Sequence, residues 1–135
     1  MGMDVYGASG NYFRANCWSW RPIVEAIYES SGYDIVDDEL MAAIGFNDGK
    51  GLQDAESCNE LADTLEEWVE TNVTTKYQPA SLSGICPVIK GTGRMATQAD
   101  IEEGVEVESA YWTDKEHLLE FVSFLRECGE GFEVW

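Results

Sequence analysis

The most regular hydrophobic pattern in the chain lies between Asp54 and Val69. Apolar residues recur there at intervals of three and four positions, which is the spacing of one face of an α-helix. Asp54 precedes this pattern and is a favourable N-cap residue, so a helix is predicted to begin there. The residues of the apolar face are Cys58, Leu61, Ala62, Leu65, Trp68 and Val69.

A second amphipathic helix is predicted near the C-terminus. Thr113 and Glu116 have the spacing of a capping box, in which the two side chains satisfy free backbone N–H groups of the first turn. Gly129 is predicted to end this helix, because glycine readily adopts the left-handed conformation that often follows a last helical turn. The apolar residues of its core face are Leu118, Phe121, Val122 and Leu125.

Two shorter helices are predicted in the first third of the chain. Pro22 fits the first turn of a helix, where its missing N–H costs nothing, and Gly32 is expected to end it. Asp37 is predicted as the N-cap of the next helix and Gly45 as its C′ residue. The segment 11–20 is interpreted as one irregular helix or as a loop. The apolar residues of the two helices are Ile23, Ala26 and Ile27, then Leu40, Met41 and Ile44.

Alternating apolar and polar residues predict three strands, at residues 3–6, 105–112 and 132–135. Residues 73–77 are a further candidate strand. Residues 79–98 are rich in serine, glycine and threonine and are interpreted as a loop.

Strands near both ends of the sequence, with helices between them, predict the α+β class. We expect a single domain over residues 1–135, in which three to four helices pack on one side of a small, mainly antiparallel sheet. A chain of 135 residues is long enough to bury one hydrophobic core. No internal repeat or linker divides the sequence.

The charge balance limits the classes of partner. With 26 acidic and eight basic residues, the chain has a formal net charge of −18. Such a surface repels nucleic acid and anionic membranes and attracts basic partners, so no direct binding of nucleic acid is expected. No apolar run approaches the ~18–20 residues that span a bilayer, and no secretory signal is visible. We therefore predict no membrane insertion and a cytoplasmic location.

No sequence motif indicates catalysis, since the nucleophile, metalloprotease, P-loop and dinucleotide patterns are all missing. His117 is the only histidine and is predicted to be a surface or cap-adjacent residue. The widely spaced cysteines form no Cys-x-x-Cys pair, which favours reduced and mostly buried thiols. The sequence thus predicts no catalytic residue, no metal site and no cofactor, and it favours a binding protein over an enzyme.

The segment from Tyr12 to Pro22 is the strongest candidate binding site, because it combines four aromatic rings with two arginines. Arg14, Trp18 and Arg21 follow i, i+4, i+7 spacing, so a helical turn would align them. Guanidinium groups bind phosphate and aromatic faces stack on bases, which suits a small anionic or nucleotide-like ligand. The predicted ligand-binding residues are Tyr12, Arg14, Asn16, Trp18, Trp20 and Arg21, with Asn47, Asp48 and Lys50 as a neighbouring loop.

A packing role is the alternative interpretation of the same segment. In that case the tryptophans fill the core, and the arginines pair with local carboxylates such as Asp4 or Glu25. The sequence leaves both interpretations open.

The predicted helix after Asp54 also carries a stripe of acidic residues on the face opposite its apolar residues. Steps of three and four residues advance about 5 Å along a helix, which is near the spacing of phosphates along a nucleic-acid strand. The stripe is therefore a candidate mimic of a nucleic-acid backbone that binds a basic protein. A solvated helix face is the alternative. The residues of this acidic stripe are Glu56, Glu60, Asp63, Glu67 and Glu70.

Residues 1–7 read Met-Gly-Met-Asp-Val-Tyr-Gly, and this opening resembles that of an uncharacterised family of small bacterial and bacteriophage proteins. Residues 12–22 match its Tyr-Phe-Arg-Asn-Asn-x-Trp-x-Trp-Arg-Pro segment, with Ala15 in place of one asparagine. The blocks 47–52 and 111–134 are similar as well.

Many members of that family carry a zinc-ribbon-like Cys-x-x-Cys-x-Gly-Thr-Gly insert. This sequence keeps the frame from Cys86 to Gly93, but Ile89 stands where the second cysteine belongs, which implies a lost metal site. The resemblance implies a bacterial or phage-infected host cytoplasm and raises the expectation of a host-interaction or anti-defence role. Two functions are thus predicted, a pocket for a nucleotide-like ligand and, as the alternative, an acidic protein that inhibits a basic host or defence protein.

Overall fold

The structure is a computed structural model, and it describes residues 2–31, 34–45, 49–79, 87–89 and 94–135. These residues form helices and small antiparallel sheets, so the predicted α+β class is confirmed. The helices are α1 (Cys17–Ser31), α2 (Asp38–Ile44), α3 (Ala55–Asn72), α4 (Gln98–Glu102) and α5 (Lys115–Glu127). The strands are β1 (Gly2–Gly7), β2 (Tyr12–Asn16), β3 (Lys76–Tyr77), β4 (Pro87–Ile89), β5 (Val107–Ser109), β6 (Thr113–Asp114) and β7 (Phe132–Val134).

The main sheet has the strand order β2-β1-β7, and both of its pairings are antiparallel. Val5 in the central strand lies opposite Phe13 on one side and Val134 on the other, and all three side chains are buried. Helices α1 and α5 contact this sheet. Two smaller sheets pair β3 with β6 and β4 with β5, also antiparallel.

The segment 11–20 is a strand followed by a helix, so its interpretation as an irregular helix or loop is wrong. Within β2, Phe13 and Ala15 point to the core while the residues between them are exposed, as the twofold period of a strand requires. Asn16 then caps α1, because its Oδ1 accepts a hydrogen bond from the N–H of Ser19 at 2.8 Å. The proline predicted for the first turn, Pro22, is instead the sixth residue of α1.

Helices α3 and α5 pack against each other and supply much of the core, as their predicted apolar faces required. Both faces are buried from the first turn to the last, except that Trp68 is only partly buried. Two ion pairs, Asp63 with Arg126 and Glu70 with Lys115, show that the helices run antiparallel.

The predicted helix ends are confirmed in part. Asp37 and Asp54 cap α2 and α3 through their side chains. Gly129, with φ +72°, follows the last turn of α5 as predicted, whereas Gly45 has φ −68° and is not left-handed.

The N-cap of α5 is Asp114 rather than Thr113, which is buried in β6. The predicted capping box at the start of α5 is therefore wrong. The predicted loop 79–98 contains a short strand, β4, in its described part, and the candidate strand 73–77 is reduced to the two residues of β3.

Candidate functional site

The residues of the predicted ligand site lie on three different parts of the fold. Arg14 belongs to a strand while Trp18 and Arg21 belong to α1, so the predicted helical alignment of these three residues is wrong. Tyr12, Arg14 and Asn16 alternate on the outer face of the main sheet. The sequence missed this because Phe13 and Ala15 are the only two inward residues of a very short strand.

Arg14 is engaged with a carboxylate on the outer face of the sheet. Its Nε lies 3.8 Å from Oδ1 of Asp4, and the Tyr12 hydroxyl donates a hydrogen bond to the same oxygen. This hydrogen bond, more than the nearby charge, raises the pKa of Tyr12 above its ordinary value. For Arg14, the alternative interpretation of pairing with a local carboxylate is thus confirmed. The pair is exposed and contributes little to stability.

Trp20 is a core residue. Only 1% of its surface is exposed, and its indole meets the ring of Phe121 edge-on at 5.7 Å. Its Nε1–H donates a hydrogen bond to the carbonyl oxygen of Ile44 at 2.7 Å. The packing interpretation holds for this tryptophan, which does not line an accessible site.

Trp18 and Arg21 are exposed, lie one helical turn apart and both contact Tyr111. The Trp18 ring is 5.0 Å from the Tyr111 ring, and the Arg21 guanidinium lies 5.0 Å from the centroid of the same ring. No carboxylate of the described residues forms an ion pair with Arg21. The aromatic and cationic character predicted for this segment therefore remains accessible to a ligand at these two residues.

A groove of about 640 Å³ opens beside Trp18, between the start of α1 and the small β4–β5 sheet. Two indoles line it, those of Trp18 and Trp112, and they keep 38% and 39% of their surface exposed. Met95, which also lines it, is 52% exposed. We call this feature the aromatic groove; its lining residues are Asn16, Trp18, Ser19, Val88, Met95, Glu108, Ala110 and Trp112.

Among the described residues, one charged side chain lines the aromatic groove. Glu108 is held by Lys76, whose Nζ lies 2.9 Å from Oε2 of the carboxylate. The same ammonium group lies 4.7 Å from the centroid of the Trp112 ring, in cation–π contact. One face of this indole is thus covered by a cation that belongs to the protein.

The start of α1 forms one end of the aromatic groove. Asn16 and Ser19 line it, and they are joined by the hydrogen bond that caps the helix. The N-terminus of a helix carries a partial positive charge, which favours an anionic group nearby. Of the predicted ligand-binding residues, Asn16 and Trp18 line this groove, whereas Arg21 contacts Tyr111, which is not a lining residue.

The predicted neighbouring loop does not join this site where the structure describes it. Asn47 and Asp48 lie outside the described residues. The carbonyl of Lys50 accepts a hydrogen bond from the N–H of Val134 in β7 at 2.9 Å. This places Lys50 at the edge of the sheet opposite β2, about 14 Å away at ~4.8 Å per strand. The proximity predicted for Lys50 is therefore wrong.

The aromatic groove also contains residues that the sequence did not single out, namely Val88, Met95, Glu108 and Trp112. They come from two regions of the sequence far from α1, and only the tertiary structure brings these regions to α1. One feature of the sequence could have drawn attention to Trp112. It follows another aromatic residue, Tyr111, and two neighbouring aromatic residues break the apolar–polar alternation of the residues before them.

All five residues of the acidic stripe are exposed on α3, as predicted. Two of them are paired, since Arg126 Nη1 lies 2.7 Å from Asp63 and Lys115 Nζ lies 3.1 Å from Glu70. Glu66 also contacts Arg126, and the hydrogen bonds that this guanidinium donates to Glu66 and Asp63 raise its pKa. Glu56, Glu60 and Glu67 have no ion-pair partner among the described residues.

His117 lies at the start of α5 and is partly buried. Its ring stacks on Phe13 at 5.1 Å, and its Nε2 and Nδ1 are each 3.3 Å from an oxygen, the carbonyl of Arg14 and the hydroxyl of Thr113. These contacts tie β2 to α5, so His117 has a packing role.

The described residues also bear on metal binding and thiol chemistry. Within the described ranges, no three histidine, cysteine, aspartate or glutamate side chains are placed to hold a metal ion. Cys58 and Cys128 are free and buried, as predicted, and burial raises the pKa of the Cys58 thiol. The degenerate zinc frame begins at Cys86, outside the described residues, and Ile89 is the last residue of β4.

No described helix is both long and apolar enough to cross a bilayer.

Comparison with known proteins leaves the family resemblance as a prediction. No protein-family model matches the chain, and no significant similarity to a curated protein or to a solved structure was found.

Proposed function

We propose that this protein is a non-catalytic binding protein whose aromatic groove takes a planar, nucleotide-like ligand. The observation that carries this proposal is that Trp18 and Trp112, both partly exposed, line the same groove. Stacking a base on an aromatic side chain contributes ~1–3 kcal/mol, and every base presents a suitable face. The volume of about 640 Å³ lies within the ~300–1,000 Å³ range of small-molecule pockets.

The polar and cationic groups around the groove indicate where the phosphate of such a ligand would bind. A phosphate is favoured at the start of α1, where Asn16 and Ser19 accompany the positive end of the helix dipole. Arg21, which forms no ion pair with a described residue, lies one helical turn from Trp18, and a ligand that extends past Trp18 would meet it. The net charge of −18 favours a mononucleotide over a polyanionic nucleic acid.

Isothermal titration calorimetry with the four nucleoside 5′-monophosphates tests this proposal. We expect binding, and we expect Trp18→Ala and Trp112→Ala each to weaken it about tenfold, the loss of one stacking contact. Trp135→Ala is the matched control, because this tryptophan is also partly exposed but contacts Gly49 away from the groove. An absence of heat with every nucleotide, at millimolar ligand, contradicts the proposal.

A second function is favoured by a separate observation, the three carboxylates of the acidic stripe that form no ion pair with a described residue. Glu56, Glu60 and Glu67 are exposed, and α5, packed beside α3, exposes Glu116, Glu120 and Glu127 as well. As the second candidate, this two-helix acidic surface binds a basic, nucleic-acid-binding protein of the host in place of its nucleic acid. The electrostatic attraction of oppositely charged surfaces supports it.

Neutralising three residues of the stripe tests the second candidate. Replacing Glu60, Asp63 and Glu67 by glutamine should abolish recovery of a basic partner from host lysate. The control replaces Glu102, Glu103 and Glu106 by glutamine, which changes the net charge equally at exposed positions away from α3. Equal losses in the two variants would show a general charge effect and contradict a specific surface.

A further inference from the structure

We infer that Glu108 makes the aromatic groove selective for planar rings that carry two adjacent N–H donors, of which guanine is the matching nucleobase. This inference rests on the proposed function, since it concerns the ligand of the same groove. It starts from the position of Glu108, which lies opposite Val88 in the β4–β5 sheet; both residues line the groove.

The carboxylate of Glu108 is mostly shielded from solvent, with 22% of its side chain exposed, and the walls around it are largely apolar. A polar group in such a place favours ligands that satisfy it and disfavours ligands that do not. Glu108 therefore has a larger effect on ligand choice than the exposed carboxylates elsewhere on the surface.

Lys76 fixes the orientation of the Glu108 carboxylate but occupies only part of its capacity to accept hydrogen bonds. The charge-assisted contact from Lys76 Nζ is made to Oε2 at 2.9 Å. A carboxylate has about four lone-pair positions, and no other described residue donates to the Glu108 side chain. Both oxygens can therefore still accept a hydrogen bond from a ligand.

The groove thus offers a fixed pair of acceptors next to aromatic rings. Guanine presents two parallel donors, N1–H and the N2 amino group, which fit a carboxylate in bidentate fashion. Adenine places the acceptor N1 beside its amino group, and cytosine likewise places N3 beside its amino group. Each of these lone pairs would face a carboxylate oxygen, so both bases are disfavoured relative to guanine.

Calorimetry with guanosine, inosine and adenosine 5′-monophosphates tests the inference on the full chain. Guanosine monophosphate should bind about tenfold more tightly than adenosine monophosphate, which is within the range expected for a bidentate contact. Inosine monophosphate, which keeps N1–H but lacks the N2 amino group, should bind with intermediate affinity.

The variant Glu108→Gln gives the sharper test. Its amide offers one acceptor and one donor, which matches adenine, so the preference should shift from guanosine to adenosine monophosphate. Glu106→Gln is the control, because this exposed residue lies two positions earlier, does not line the groove and loses the same charge. It should keep the preference for guanosine monophosphate.

The possible failures are distinguishable. If the monophosphates bind with equal affinity, Glu108→Gln changes nothing and Trp18→Ala still weakens binding, the inference about Glu108 is wrong and the proposed function stands. If no nucleotide binds, both are wrong. A circular dichroism melting curve for each variant establishes that the fold is retained.

Discussion

The indole of Trp20 is hydrogen-bonded to the backbone of Ile44, with Nε1 2.7 Å from the carbonyl oxygen, and both residues are buried. This bond connects α1 to the last residue of α2. Two tryptophans that lie two positions apart in the sequence therefore have different environments. Trp20 is held in the core, whereas Trp18 lines the aromatic groove.

Substitutions at Trp20 should therefore reduce stability rather than ligand binding. Trp20→Phe keeps an aromatic ring but leaves the buried carbonyl of Ile44 without its donor, which should cost ~1–3 kcal/mol of unfolding free energy. Trp20→Ala should cost ~3–5 kcal/mol, because it also leaves a cavity. Urea denaturation followed by circular dichroism measures both values. Trp18→Ala is the comparison and should cost less than Trp20→Ala, because 38% of the Trp18 surface is already exposed; an equal loss at the two positions would contradict their different roles.

The close approach of Gly131, the residue before β7, to the segment before α3 gives a second prediction. Gly131 has φ +132°, and a Cβ at this position would lie 2.2 Å from the carbonyl oxygen of Leu52, which accepts the N–H of Phe132. Gly131→Ala should thus lower the unfolding free energy by ~3 kcal/mol or more, since backbone strain and a backbone clash coincide.

Gly10→Ala is the matched control for this prediction. Gly10 also has a positive φ, +96°, but a Cβ there would meet no atom within 4 Å. Its cost should be limited to the strain of the left-handed conformation, about 1–2 kcal/mol. Denaturation curves that show the same loss for both alanine variants would contradict the proposed clash at Gly131.

The sequence correctly predicted the elements whose apolar residues repeat several times within the element. Helices α3 and α5 each have several turns of apolar residues at helical spacing, and Asp54 caps α3 by accepting the Ser57 N–H, so their position followed from local rules. Strand β2 has only two inward residues. It is a strand because Phe13 lies opposite Val5 in β1, a pairing between residues that local periodicity does not connect.

The same limit applies to the candidate site. Trp18 was predicted from the concentration of aromatic residues near it, and the structure places it in an accessible groove. Trp112 and Glu108 were missed because they reach this groove through the pairing of β5 with β4 and the packing of their sheet beside α1. Arg14 was wrongly grouped with Trp18, because i, i+4 spacing has no meaning across a strand–helix boundary.

The caps at the helix N-termini predict a specific pH dependence. The Asp54 carboxylate accepts the N–H of Ser57 at 2.6 Å, and this hydrogen bond lowers the pKa of Asp54 below its ordinary value. Because the pKa is lower in the folded chain, the carboxylate stabilises the protein fully above the unfolded pKa of ~3.9. This contribution is lost as the pH falls through the folded pKa, which lies below that value.

Asp54→Asn isolates this effect from the other acidic residues. Asparagine still caps a helix but has no charge to lose, so the variant should be somewhat less stable than wild type at pH 7. The difference in melting temperature should shrink as the pH falls below about 4, where Asp54 of the unfolded chain becomes protonated, and should be lost below the lower folded pKa. Melting curves at pH 7, 5, 4 and 3 measure it, and a constant difference over this range would contradict a role for the charge.

Tyr111 offers a prediction about the candidate site that does not involve a lining residue. Its ring contacts Trp18 at 5.0 Å and the Arg21 guanidinium at 5.0 Å, although Tyr111 is not part of the groove wall. Removing the ring frees both side chains to adopt other rotamers. Fixing them again on binding costs about 0.5–1.5 kcal/mol for each immobilised side chain, so Tyr111→Ala should weaken nucleotide binding several-fold.

The control is Tyr6→Ala, which removes an exposed tyrosine whose ring contacts Tyr12 on the outer face of the main sheet. It should leave the affinity unchanged. Calorimetry on both variants, with the tightest-binding monophosphate, separates a positioning role of Tyr111 from a general effect of removing a surface ring. Unchanged affinity in Tyr111→Ala would mean that Trp18 and Arg21 are placed by α1 alone, and the contact with Tyr111 would then have no part in binding.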